Sequence, residues 1–249
     1  MRLFFASDIH GSTTCFRKLV SARSFYGVDL VLMGGDVSGK ELVPVVRHGN
    51  GWSATFRGAT HSLATETEAA EFQRRVATVG GYTERMEGDE VQALRADSEL
   101  VERTLARLIR ERVSEWTSFA DERLGKGEAR LFMGLGNDDA DELAELLNSR
   151  TVQFAGEESL DLGEIDLISL GWSNPTPWDT HREASEEELE RRLNTLVENA
   201  DPSRTVLNVH VPPYSSGLDL APKLGPDLQI QLEGGEPKLV PVGSTAVDS

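Results

Sequence analysis

At 249 residues the chain is long enough to bury a large core in one α/β domain, and its single cysteine, Cys15, forbids an internal disulfide. A formal charge of -17, from 42 acidic against 25 basic residues, makes nucleic acid a poor partner; basic clusters do not exceed pairs such as Arg74-Arg75 and Arg191-Arg192. Hydrophobic residues make up 39%, with no run near the roughly 20 apolar residues of a membrane helix and no secretory leader in MRLFFASDIHG, so the expectation is a cytoplasmic protein without a membrane.

The first apolar run, Leu3 to Ala6, reads as a buried parallel strand, Thr13 to Ala22 as a helix, and Leu30 to Met33 as a second strand. From Pro44 to Leu63 short alternating stretches broken at Asn50-Gly51 and Arg57-Gly58 predict a hairpin excursion. A helix from Thr67 to about Val79 closes at Gly80-Gly81. One long amphipathic segment then runs from Asp89 to Arg123, with Leu94, Val101, Leu105, Leu108, Ile109 and Trp116 on one side. The α/β rhythm resumes with a strand from Arg130 to Leu135, a helix from Asp139 to Leu147, and a turn at Leu162-Gly163-Glu164 leading into Ile165 to Leu170. Ser185 with Glu188 has the spacing of a capping box, and Thr205 to Val209 is the last clear core strand. The acidity with few lysines resembles proteins of salt-accumulating microbes.

Four segments share a placement just past the end of an expected core strand, where open α/β sheets collect ligands. Asp8 and His10, two apart, can point the same way if the chain is still extended there. Gly34 and Gly35 let the backbone turn and present Asp36 at the sheet edge. Gly136-Asn137-Asp138-Asp139 follows a strand, although either aspartate could simply cap the next helix. His210 sits at the end of the last strand, where Pro212 and Pro213 turn the chain away. Each segment alone is ordinary; their conjunction in this order points to a cation site. Weaker candidates are the loop from Gly171 to Trp178, either a substrate wall or a proline-stiffened surface loop, and His48, His61 and His181, read as surface histidines.

The order Asp-x-His, Gly-Asp, Gly-Asn-x-Asp and a strand-end His resembles the calcineurin-like metallophosphoesterase superfamily, over the whole chain except Pro44 to about Gly127. The resemblance implies one domain over 1–249, with two packed mixed β-sheets flanked by helices in a four-layer sandwich, and a hairpin and helical insertion or cap at about 44–127. It implies two divalent metal ions, and the mixed oxygen and imidazole donors suit Mn, Fe or Zn. Asp8 and His10 would bind the first ion, Asp36 both, and Asn137 and His210 the second, with Asn137 and Asp138 contributing to catalysis. The implied reaction is hydrolysis of a small phosphate mono- or diester by a hydroxide shared between the ions.

Two departures qualify it. Asp138 stands where many members have His, and a carboxylate beside cations is a poor acid. The family pattern closes with Gly-His-x-His, whereas no histidine follows His210, which leaves each ion one ligand short. Pro241 to Val247 reads as a turn, an N-cap and the start of a helix, so the fold is expected to be incomplete at the C-terminus. The alternative expectation is therefore a truncated or degenerate, non-catalytic metal- or phosphate-binding protein acting as a scaffold or sensor.

Overall fold

The computed structural model describes residues 1–125 and 131–248 and is a mixed α/β structure. It opens with β1 (Leu3–Ala6), α1 (Thr13–Tyr26) and β2 (Leu30–Met33). Ser12 caps α1 by accepting from the Cys15 N–H, and left-handed Gly27 closes it after Tyr26, four residues beyond the expected Ala22. Then come β3 (Leu42–His48), β4 (Gly51–Phe56), β5 (Ala59–Leu63), α2 (Glu66–Thr78), β6 (Tyr82–Met86), α3 (Gly88–Ala96) and α4 (Ser98–Leu124).

The expected single helix from Asp89 is interrupted at Asp97, whose extended backbone and side chain cap α4 through the Leu100 N–H. The expected end of the insertion near Gly127 and start of the next strand at Arg130 lie outside the described residues. After β7 (Leu131–Met133), residues Asp141–Leu147 form a 3₁₀ helix rather than the expected α-helix from Asp139. There follow β8 (Val152–Phe154), β9 (Ser159–Asp161), β10 (Asp166–Leu170), α5 (Glu186–Val197), β11 (Thr205–Val209), β12 (Leu220–Pro222), β13 (Leu232–Glu233), β14 (Glu236–Pro237), β15 (Leu239–Pro241) and α6 (Thr245–Asp248).

A parallel sheet of order β1-β2-β7-β8 lies at the centre. The period-2 alternation of its strands divides two cores. Val31, Met33, Leu131 and Met133 meet Phe16 and Leu19 of α1, Val113, Trp116 and Ala120 of α4, and Leu143 and Leu147 of the 3₁₀ helix. Phe16 and Trp116 stack with centroids 4.5 Å apart. On the other face Leu30, Leu32 and Phe132 meet Leu167 together with Leu160 and Val206, all from the second sheet, β11-β10-β9. Strands buried on both faces read as continuous apolar runs, which is why β2 is Leu-Val-Leu-Met. Helix α5 contacts β10 and buries Leu189.

The excursion builds a third sheet, β5-β4-β3-β6, in which β6 joins β3 in parallel after the crossover through α2. It has its own core, where Val43, Val45, Ala54 and Phe56 pack on Ala69, Phe72 and Val76 of α2. The C-terminal stretch forms two small antiparallel pairs, β12 with β15 and β13 with β14, and ends in α6, whose Ala246 N–H donates to Glu186 of α5. Among the described residues no helix is long and apolar enough to cross a membrane.

Candidate metal centre

The loops after β1, β2 and β7 are stitched together by backbone hydrogen bonds that continue the sheet beyond its strands. The Asp8, His10 and Gly11 N–H groups donate to the carbonyls of Gly35, Asp36 and Val37. This pairing forces a turn at each of three non-glycine residues, Asp8 at φ 58°, His10 at 41° and Asp36 at 52°. The sequence reading had Asp8 and His10 side by side on an extended chain. Instead the strand ends at Ala6 and both residues adopt the left-handed conformation, a strain that costs on the order of 1 kcal/mol or more per residue and persists where surrounding structure fixes it.

The strained turns bring one ligand atom each of Asp8, His10 and Asp36 within 4.8 Å of one another. His10 Nε2 lies 3.6 Å from Asp36 Oδ2 and 3.9 Å from Asp8 Oδ1. The other Asp36 oxygen, Oδ1, lies 3.4 Å from His210 Nε2, which in turn is 3.0 Å from Asn137 Oδ1. All five residues singled out as cation ligands therefore meet in one place, and Asp36 faces two groups with two different oxygens. Asp138 is the sixth: its N–H donates to Asp36 Oδ1, its Oδ2 lies 3.8 Å from His10 Nδ1, and its Oδ1 accepts from Lys40 Nζ at 2.5 Å.

Glycine is required where these loops touch. A Cβ on Gly136 would lie 2.1 Å from Asp36 Oδ1 and 2.4 Å from the Asp36 nitrogen, so Asn137 can reach the centre only because nothing projects from the residue before it.

Buried Asp139 organises the same loops. Its carboxylate accepts from the N–H groups of Val37, Ser38 and Gly136 and from the Ser38 hydroxyl. Burial pushes its carboxyl up from the ordinary value, and those donors oppose the shift. The expected helix-capping role falls to neither Asp138 nor Asp139, because the 3₁₀ helix begins after Ala140.

Electrostatics follow the same geometry. Burial works against a charged His210, yet the hydrogen bond and charge of Asp36, with Asp8 and Asp139 behind it, hold its pKa above the usual histidine value. Burial likewise opposes an ionised Asp36, but His210, the Asp138 N–H and His10 hold its carboxyl below the usual range. The donor set fits divalent cations: carboxylate, amide and imidazole atoms converge without a competing Lys or Arg on Asp8, Asp36 or His210 among the described residues, and the buried His210 Nδ1 has no hydrogen-bond partner.

Three residues here gave no usable signal in the sequence. Lys40 follows a glycine in an ordinary loop. Thr180 accepts from the Asn137 side-chain amide at 2.8 Å, which leaves Asn137 Oδ1 aimed at His210. Glu183 in turn accepts from the N–H and hydroxyl of both Thr176 and Thr180. Burial opposes its charge, but these donors prevail and lower its carboxyl to about 2. The loop from Gly171 thus serves the site through Thr180, whereas Trp178, read as a possible stacking wall, is 65% exposed. His48 is exposed and His61 half-buried against Phe72; Cys15 is exposed.

No family model matches the chain. An uncharacterized protein of Methanocaldococcus jannaschii is 32% identical over 85 residues, which is 34% of this chain, and the chain spans 38% of that relative's length. A crystal structure superimposes with a TM-score of 0.53 at 13% identity, covering 99% of this chain and 77% of the other, a likeness of fold alone.

Proposed function

We propose that the chain has the four-layer fold of the calcineurin-like metallophosphoesterases and hydrolyses a phosphate mono- or diester with two divalent cations, Mn, Fe or Zn. The observation that carries the reading is the convergence of Asp8, His10, Asp36, Asn137 and His210 from four separate strand ends. Helices on one face of the parallel sheet and the second sheet on the other are in keeping with that fold. Asp8 and His10 would hold one ion, Asn137 and His210 the other, and Asp36 both through its two oxygens. Bound there, the ions would supply Lewis-acid charge for the phosphoryl oxygens and lower the pKa of an attacking water.

The chain's own residues do the rest. Asp36 stays ionised, as a shared ligand must. Thr180 and Glu183 keep Asn137 oriented. Lys40 places a cation beside the centre, where it can face a phosphate oxygen, and Asp138 holds that ammonium through Oδ1. Asp138 is thus a positioning group for Lys40 rather than the acid. Hydrolysis joins a water oxygen to phosphorus and releases the ester oxygen as an alcohol, the proton for the alcohol coming from that water.

The test is calorimetric binding of Mn²⁺ alongside hydrolysis of an aryl phosphate. We expect about two ions per chain, and a fall of about a hundredfold or more in turnover for Asp36→Asn against about tenfold for Asp138→Asn. Equal, mild losses would remove the ligand assignment. A second reading, a non-catalytic protein holding one cation, is favoured by the tight clustering of only Asp8, His10 and Asp36 among the described residues. One ion per chain without turnover would establish it.

A further inference from the structure

Beside the centre lies a cavity of about 620 Å³ that the five ligands do not explain. Lys40, Asp138 and Thr180 line its inner end, so it opens directly onto the groups that border the cation cluster. Its far wall belongs to the excursion: Leu105, Ala106 and Ile109 of α4, one turn of helix, face Ala140 and Leu143 across it. Leu105 and Ile109 are only half-buried, and Leu105 joins none of the hydrophobic cores. Apolar side chains left partly uncovered in a concave wall are the usual mark of a ligand surface.

The charges narrow the ligand. Glu102, Asp138, Glu142 and Asp179 border the cavity against Lys40 and Arg110 as fixed cations, with His181 beside them. Lys40 is already paired to Asp138, which leaves an acidic rim. Further phosphates would be repelled there; an uncharged group would not.

We infer that this cavity seats the leaving group of the substrate, and that the substrate class is a phosphate ester of an uncharged, predominantly apolar alcohol, aromatic or aliphatic, up to about the size of a nucleoside. This rests on the phosphoesterase reading. The phosphoryl group lies at the cations and Lys40, and the ester oxygen points past Asp138 towards Leu105 and Ile109. His181, read from sequence as an ordinary surface histidine, sits at the rim of this cavity.

The experiment compares phenylphosphonate with methylphosphonate, neither of which can be hydrolysed, by calorimetry in the presence of Mn²⁺. The wild-type chain should bind the phenyl compound about tenfold more tightly, the gain from covering one ring on an apolar wall. Leu105→Asp, which adds a charge to the wall, and Ala106→Trp, which fills the cavity from an exposed position, should each bring the ratio near one. Mn²⁺ and methylphosphonate should bind both variants as they bind wild type, which also shows that the variants are folded. A wild-type ratio near one, or a ratio that survives both substitutions, overturns the leaving-group assignment while leaving the cation centre intact. Failure of the wild-type chain to bind Mn²⁺ or either phosphonate overturns the phosphoesterase reading beneath it.

Discussion

The two sheets that meet at the centre contribute to it in opposite ways. The parallel sheet supplies Asp8, His10, Asp36 and Asn137 from loops that are locked together by backbone pairing, by three left-handed residues and by the buried Asp139 carboxylate. The second sheet supplies His210 directly from the end of β11, and the loop after β10 supplies Thr180, held by a half-buried glutamate. One side is built rigid at a cost in strain; the other is adjusted by side-chain hydrogen bonds near the surface. Damage to the first should therefore cost folding as well as binding, and damage to the second should cost alignment with little loss of stability.

Replacing Asp139 breaks the comparison most directly. Asp139→Ala strands four buried or partly buried donors at the junction of two loops, and a loss of roughly 3 kcal/mol or more is expected in denaturant unfolding, together with loss of Mn²⁺ binding. A loss below about 1 kcal/mol would show that the loops do not depend on it. Gly80→Ala is next. At φ 97° a Cβ there would lie 2.0 Å from the His10 carbonyl oxygen, so about 2 kcal/mol of stability and most cation affinity should go, although residue 80 touches no cation.

The smallest effect belongs to the second side and to acid. Because the folded Glu183 carboxyl is depressed from 4.5 to about 2, its contribution is fully present above pH 4.5 and is lost as pH falls through about 2. The stability difference between wild type and Glu183→Gln should be about 1 kcal/mol at neutral pH and shrink across that window. A pH-independent difference would remove the ionised carboxylate from the account.

What the sequence revealed follows the same divide. Strand β2 was legible because burial on both faces leaves a continuous apolar run. β1 and β11 are edge strands with Phe5 and Leu207 exposed, so β1 is not the buried strand its apolar run suggested, yet both carry enough apolar residues to be read as strands, and the candidate ligands were legible because each follows a strand. β6, Tyr-Thr-Glu-Arg-Met, was not: its polar middle looks like loop, and its strand state comes from pairing with distant β3. β8, of three residues, is too short to show a period. The break at Asp97 is a local competition won by a side-chain cap within an otherwise helical pattern. Asp139 looked like one more helix cap because three of its four donors, from Val37 and Ser38, come from a loop 101 or 102 residues away in the chain. Glu183 offered nothing at all, since a glutamate in a polar loop has no pattern to betray four converging donors.

Arg112 of α4 bears on how separable the excursion is. Its guanidinium donates to the Gly11 carbonyl at 2.9 Å and the Gly81 carbonyl at 2.8 Å and lies over the Tyr82 ring, while Trp116 one turn on stacks against Phe16. The third sheet and α4 are consequently not a detachable module. Excising residues 42–124 to make a shorter chain would peel away one wall of the principal core and unfasten the turn that carries His10, so any shortened version would have to rebuild that wall before the candidate ligands could converge again.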